Sequence, residues 1–279
     1  MNSDNKLNFN IIIAGKNEMA CNMLSYMLEN FSQYNYYVIV NKTDDGVDSW
    51  QPSLKKKAQN LNIKIINLKD AYNMDCLFLS CEFDKIIKPD LFNSKKLFNI
   101  HFSKLPQYKG VYTSCLPILF NEKETGVTLH KIDAGIDTGD IIEQYIFPIL
   151  SSDVALDIYL KYNKYGFELL KKNILNIIND DFKCYKQSSV NASYYSLKTL
   201  DFKNINIDYR KTANEIKNQI HAYSFVHYQL PLFNDNKITH AEILPEKSNY
   251  KIKEIVEETS ESITINTIDF NIKLYKCNT

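Results

Sequence analysis

Apolar residues in the first half of the chain fall into short runs. "FNIIIAG" (9–15) and "YYVIV" (36–40) flank "EMACNMLSYMLENF", in which Met19, Met23, Leu24, Met27 and Leu28 recur every three or four positions. The runs predict strands and the spaced positions predict a helix. "IKIINL" (63–68), "CLFLS" (76–80) and "LFNIHF" (97–102) follow, separated by Lys-rich stretches of helical or turn character. Near-continuous apolar strands with helices between them predict βαβ units, that is, an α/β fold with a Rossmann-like, mostly parallel sheet covered on both faces.

"TGVTLHKI" (125–132) and "DIIEQYIFPI" (140–149) predict two more strands joined by the Asp- and Gly-rich turn "DAGIDTG". A long amphipathic helix over 151–180, with Ser151 or Ser152 as its cap, is expected to close a first domain spanning 1–180. From 181 to 279 the texture changes. One helix near 211–223 and the period-two stretches "KITHAEIL", "YKIKEIV" and "TIDFNIKLY" predict a smaller, β-rich C-terminal region.

Charge narrows the partners. Lys plus Arg and Asp plus Glu each number 33, so the formal net charge is zero, and neither a nucleic acid nor an acidic membrane is expected as partner. No apolar run reaches the ~18 residues of a membrane span, and the polar start predicts no secretion signal. The six cysteines are scattered with no CxxC pair, which predicts reduced thiols, core filler in a cytoplasmic protein, and no metal site. The first strand ends in a single glycine, Gly15, so the glycine-rich turn of a dinucleotide site is absent.

The chemistry gathers between 99 and 142. Asn99 and His101, two positions apart, share one face at the end of a strand, where ligands of parallel sheets bind. After a strand long enough to lie beside the first, an acid-bearing loop returns and lets Asp137 face His101.

In order, this stretch carries Asn99-x-His101, Ser103-x-Leu105-Pro106, a nearby Gly110, Thr125-Gly126-Val127-Thr128 and Asp133-x-Gly135-x-Asp137-Thr138-Gly139-Asp140. It resembles the formyltetrahydrofolate-dependent formyltransferases, departing only at Phe102 and Lys104. The resemblance implies an enzyme using 10-formyltetrahydrofolate as formyl donor and a primary amine as acceptor. Asn99 would stabilise charge on the formyl oxygen, His101 would take the amine proton, and Asp137 would orient the imidazole. His130 is expected to be an ordinary polar strand residue. The donor is expected against Phe83, Asp84, Lys85, Ile86 and Ile87 on one side and Ala134, Gly135, Ile136 and Asp140 on the other. Pro106 is expected in the cis form.

Several acceptors occur across such enzymes. The glycinamide ribonucleotide branch has a glycine-rich first loop that is absent here, and the formyl-donor hydrolases resemble this chain only after an additional N-terminal domain. "SYYSLKTLDF" (193–202), "IHAYSFVHYQLP" (220–231) and "WQPSLKKKA" (50–58) resemble segments of bacterial enzymes that formylate dTDP-linked amino sugars. That resemblance implies sugar-nucleotide contacts by Trp50, Tyr194, Tyr195, Lys198, Tyr223, Phe225 and Tyr228, using aromatic faces for the base and polar groups for the pyrophosphate. The expected function is therefore formylation of a dTDP-amino-dideoxy sugar, with a 4-amino-4,6-dideoxyglucose preferred over its 3-amino isomer, for surface polysaccharide such as the O-antigen of lipopolysaccharide. The expected assembly is a homodimer. Two alternatives stay open: a methionyl-tRNA formyltransferase and a nonenzymatic nucleotide-binding protein.

Overall fold

The structure is a computed structural model that describes residues 9–249 and 251–277. Its elements, in chain order, begin with β1 (Asn10–Gly15), α1 (Asn17–Asn30), β2 (Asn35–Val40), α2 (Leu54–Asn60), β3 (Lys64–Ile65), α3 (Leu68–Tyr72), β4 (Cys76–Cys81), β5 (Lys96–His101) and β6 (Lys109–Gly110). Then follow α4 (Leu116–Leu119), β7 (Glu124–Lys131), β8 (Ile141–Pro148), α5 (Ala155–Ile178), β9 (Tyr194–Tyr195) and α6 (Ala213–Tyr223). The C-terminal strands are β10 (Leu232–Phe233), β11 (Asn236–Lys247), β12 (Ile255–Glu258), β13 (Ser262–Asn266) and β14 (Phe270–Lys276).

Seven strands form one sheet in the order β3-β2-β1-β4-β5-β7-β8. β1 pairs with β2 and β4 in parallel, β4 with β5 in parallel, and β5 with β7 antiparallel. The expected mostly parallel α/β sheet is therefore present. Ile11, Ile12 and Ile13 are all within 1% of complete burial, the signature of a central strand covered on both faces. α1 buries Met19, Met23, Leu24 and Met27, its predicted apolar stripe. Gly15 is required where it stands. Its φ is +152° and a Cβ there would meet the Cys81 carbonyl oxygen at 1.7 Å, so this glycine serves the close approach of β1 to β4 rather than a phosphate.

Three expectations shift. The strand predicted over 63–68 is only β3, because Asn67 accepts hydrogen bonds from the Lys69 and Asp70 amides while Asp70 accepts one from the Asn67 amide; this capping box starts α3 and ends the strand. The long helix begins at Ala155, beyond Ser151 and Ser152, with Asp157 accepting from the Val154 N–H. The strand predicted from Tyr250 begins only at Ile255; Tyr250 itself lies outside the described residues.

By the density of internal contacts the chain divides into two interleaved units. The first comprises 1–109, 126–146 and 162–193; the second comprises 110–125, 147–161 and 194–279. The single boundary expected at 180 falls inside the last stretch of the first unit. In the second unit a five-stranded sheet of order β10-β11-β14-β13-β12 packs its Ile238, Ile263, Ile265, Ile272 and Leu274 against Ile216 and Ile220 of α6. Thr212 and Glu215 form the capping box that starts this helix.

Of the cysteines, Cys21, Cys76, Cys81 and Cys115 are buried and none is bonded to another; burial pushes the thiols of Cys21, Cys76 and Cys115 up to about 12. Among the described residues, no helix is long and apolar enough to cross a membrane.

The strain at β1 is testable by urea unfolding. Gly15→Ala is expected to cost about 3 kcal/mol or more, through overpacking against backbone, whereas Ile12→Val, which removes one buried methylene, costs about 1 kcal/mol. Equal losses for the two variants would contradict this account.

Candidate active site

The antiparallel register sets Asn99 opposite His130 and His101 opposite Thr128. Directly paired residues share a face of the sheet, so Asn99, His101 and His130 project together. The loop after β7 leaves with the Ile132 N–H bonded to the Leu97 carbonyl (2.8 Å) and closes with the Lys131 N–H bonded to the Asp140 carbonyl (2.9 Å). Between these anchors it folds back over that face. Asp137 Oδ1 accepts from Asn99 Nδ2 at 3.3 Å and lies 3.7 Å from His130 Nε2, while its Oδ2 lies 3.5 Å from His101 Nδ1.

Hydrogen-bond chemistry fixes the tautomers. His130 Nδ1 is 2.7 Å from the Lys131 carbonyl oxygen, which only accepts, so Nδ1 bears the proton and Nε2 accepts from Asn99 Nδ2 at 3.1 Å. The two hydrogens of Asn99 Nδ2 thus point to His130 and Asp137. His101 Nε2 is 2.9 Å from the Tyr108 carbonyl. It therefore carries the ring proton, and the Nδ1 lone pair faces Asp137. His130, expected to be an ordinary strand residue, is instead a member of the cluster, as the acceptor that orients Asn99. The signal that would have found it is the register of β7 on β5.

Burial holds the His101 imidazole below its ordinary value of 6.5; the Asp137 carboxylate and the Tyr108 carbonyl pull the other way, and His130 and Lys109 add to the lowering. The ring is therefore neutral at pH 7, a base with a free lone pair beside a carboxylate. The unfolded chain binds this proton more readily than the folded one. The stabilising contribution is complete above 6.5 and is lost as the pH falls below 6.5 toward the folded-state value.

The loop behind His101 is tightly held. Thr128 Oγ1 donates to the Ser103 carbonyl (2.7 Å) and accepts from the Leu105 N–H (3.2 Å). Gln144 Nε2 donates to both Thr128 Oγ1 (2.8 Å) and the Leu105 carbonyl (2.9 Å). The Leu105–Pro106 bond is cis, as expected.

The residues expected around a formyl donor divide by exposure. Phe83 and Ile132 pack on one apolar cluster of the first unit, Ile87 is buried, and Asp84, Lys85 and Ile86 are exposed. Asp84 is tied to the neighbouring loop, its Oδ2 accepting from the Lys42 N–H and its own N–H donating to Asn41 Oδ1. Among the described residues nothing hydrogen-bonds to the backbone of Lys85, Ile86 or Ile87. That leaves donors and acceptors in sequence, suited to the edge of a planar ring such as a pterin. Across the returning loop, Ala134 and Gly135 are exposed and Ile136 half-buried.

The residues expected to hold a sugar nucleotide fall in both units. Trp50 is half-buried in the first unit, in a loop shaped by Asp44 and Asp48. The others belong to the second unit. Tyr194 and Lys198 are exposed and Tyr195 leans on Phe120. Tyr223 sits edge-on to Phe202. Phe225 is only 5% exposed, walled by Tyr159 and Tyr228, and Tyr228 is 62% exposed.

The chain is similar to several known proteins. The formyl transferase family profile matches residues 31–174. The crystal structure of WlaRD, a sugar 3N-formyl transferase in the presence of dTDP and 5-N-formyl-THF, is similar at a TM-score of 0.91 and 48% identity, covering 98% of this chain and 99% of that one. An N-formyltransferase from Helicobacter canadensis, in complex with folinic acid and dTDP-3-aminofucose, has a TM-score of 0.89 and 47% identity over 97% of this chain and 100% of its own. The methionyl-tRNA formyltransferase of Coxiella burnetii (strain RSA 331 / Henzerling II) is 28% identical, over 60% of this chain and 53% of its own length. The chain thus spans about half the length of the curated relatives it matches.

The electrostatics of the cluster are testable by NMR titration. His101 is expected to titrate below 6.5, and Asp137→Asn to lower it further by removing the charge that favours the imidazolium. An unchanged or raised value in Asp137→Asn would overturn the assignment.

Proposed function

This chain belongs to the formyl transferase family, and from that premise we propose that it moves a formyl group from 10-formyltetrahydrofolate to the amine of a dTDP-linked amino-dideoxy sugar. The observation that carries the reading is the convergence of Asn99, His101 and Asp137 around one face of β5, in a chain nearly half identical over its whole length to two sugar N-formyltransferases.

Each side chain has a task that its surroundings suit. Asn99 Nδ2, already aimed across the cluster, turns a hydrogen toward the formyl oxygen as negative charge gathers there; donors of this kind are worth about 3–4 kcal/mol. His101 Nδ1, neutral and unprotonated, takes the amine proton. Asp137 offsets the charge the ring acquires. The unpartnered backbone of 85–87 receives the pterin, with the 134–136 loop and Asp140 facing it.

We place the reacting amine at C3 of the sugar rather than at C4. Both sugar N-formyltransferases at 47–48% identity carry the 3-amino designation, whereas a 4-N formyltransferase from Francisella tularensis is 24% identical to this chain. The 4-amino preference gives way to that contrast. Of the aromatic residues proposed to meet the nucleotide, Tyr228 has an open face while Phe225 supports it. The product would supply surface polysaccharide, made in the cytoplasm. The exposed edge strand β12, with Ile255 at 40% and Val256 at 50% exposure, supports pairing of two copies, and light scattering at micromolar concentration should return the mass of a dimer rather than a monomer.

Mass spectrometry of a panel of dTDP-amino sugars incubated with protein and formyl donor tests the function. The added formyl mass is expected on 3-amino sugars, at a rate that changes little with salt, and no formylation of initiator tRNA, whose binding would weaken steeply with salt. His101→Asn should lose at least about a hundredfold in kcat while retaining folate binding. Formylation of tRNA in preference to every sugar would replace this reading.

A further inference from the structure

We propose that Gln187 is a positioning residue whose side-chain amide locks the backbone of the Asp137 loop and so aims the Asp137 carboxylate at His101. The inference rests on the formyl-transfer reading of the cluster. Gln187 lies beyond residue 174, where the family match ends.

Gln187 Nε2 donates to the carbonyls of Asp137 and Gly139, both at 2.8 Å. Carbonyls only accept, so the nitrogen's place is fixed and Oε1 is turned away, buried and without a hydrogen-bond partner. The side chain thus spends both amide hydrogens on the backbone of the loop. What it holds is an unfavourable backbone. Asp137 has φ +53°, in the left-handed region that side chains with a Cβ avoid.

The flanks of the loop have other tethers. Asp133 Oδ1 accepts from the Gly135 N–H (3.1 Å) and Thr138 Oγ1 (2.6 Å), and Gly139 approaches Lys131 so closely that a Cβ would lie 1.8 Å from its carbonyl oxygen. Gln187 clamps the carbonyls on either side of Thr138. It is itself anchored two residues earlier, where Tyr185 and Ile141 exchange backbone hydrogen bonds at 2.8 and 2.9 Å.

The need for a clamp follows from the distances it protects. Asp137 Oδ1 accepts from Asn99 at 3.3 Å, near the outer limit of hydrogen bonding, and the carboxylate lies 3.5 Å from His101 and 3.7 Å from His130, so a shift of a few tenths of an ångström breaks the bond and changes the charge each ring feels.

Gln187→Met keeps the volume and removes the donors. It is expected to lower kcat at least tenfold while KM for donor and acceptor stays within twofold. The acid limb of kcat is expected to move to lower pH, because the carboxylate that favours the charged form of His101 has moved off; His130 and Lys109, which oppose that charge, and the Tyr108 carbonyl, which favours it, are unaltered. A kcat within twofold of wild type, or a loss of kcat with an unmoved acid limb, would overturn the proposal. Should Gln187→Met not fold, Gln187→Asn, which withdraws the amide by one methylene, takes its place with the same expected outcomes. If wild-type protein formylates no dTDP-amino sugar, the functional reading fails on its own, and the NMR titration of His101 still decides the clamp: a lower value in the variant supports it, and coincident curves refute it.

Discussion

The site depends on one strand running the wrong way. β7 lies antiparallel to β5, ending a run of parallel pairs that extends from β3 to β5. That reversal sets His130 across from Asn99, and it makes the loop after β7 turn back along the strand it has just paired. A parallel β7 would deliver its loop to the same edge as the loop after β5, with no acid lying over the sheet face. Asp137 is carried to the cluster by topology, and its side chain then reaches three residues from one position.

A buried imidazole is a compromise between opposed forces, of which burial is the larger here. Removal from water disfavours its charge, and a carboxylate at 3.5 Å restores part of what is lost. The balance leaves a ring that is neutral at rest and tolerates charge briefly. Asn99 is shared in a similar way, between the His130 ring nitrogen and a carboxylate. The tight loop behind His101, pinned through Thr128 and Gln144, keeps the ring from turning to escape either constraint.

Much of this was legible in the chain. Runs of Ile, Leu and Phe announced β1, β4 and β5 because strands covered on both faces leave little choice of residue. Asn99, His101 and Asp137 were legible because their types and spacing recur in a recognisable order. Other features were not, and for physical reasons. β3 was overestimated because the local capping box of Asn67 and Asp70 competes with an apolar run and wins. The packing of Phe225 against Tyr159 is set by a partner distant in the chain and leaves no local signal. His130 and Gln187 act through long-range pairing: one is placed by register across a ladder, the other by a bridge between residues 44 positions apart, Ile141 and Tyr185. Neither leaves a periodic trace.

The carbonyl of Tyr108 gives the imidazole only one working side. It occupies Nε2 and has no proton to offer and none to hold, so the ring is a cul-de-sac rather than a corridor. In the proposed reaction, whatever hydrogen enters at Nδ1 must leave at Nδ1, toward the same reactants. The hydrogen lifted from the sugar's nitrogen is then the one handed to the nitrogen of the spent folate, and its passage needs no wire to bulk water.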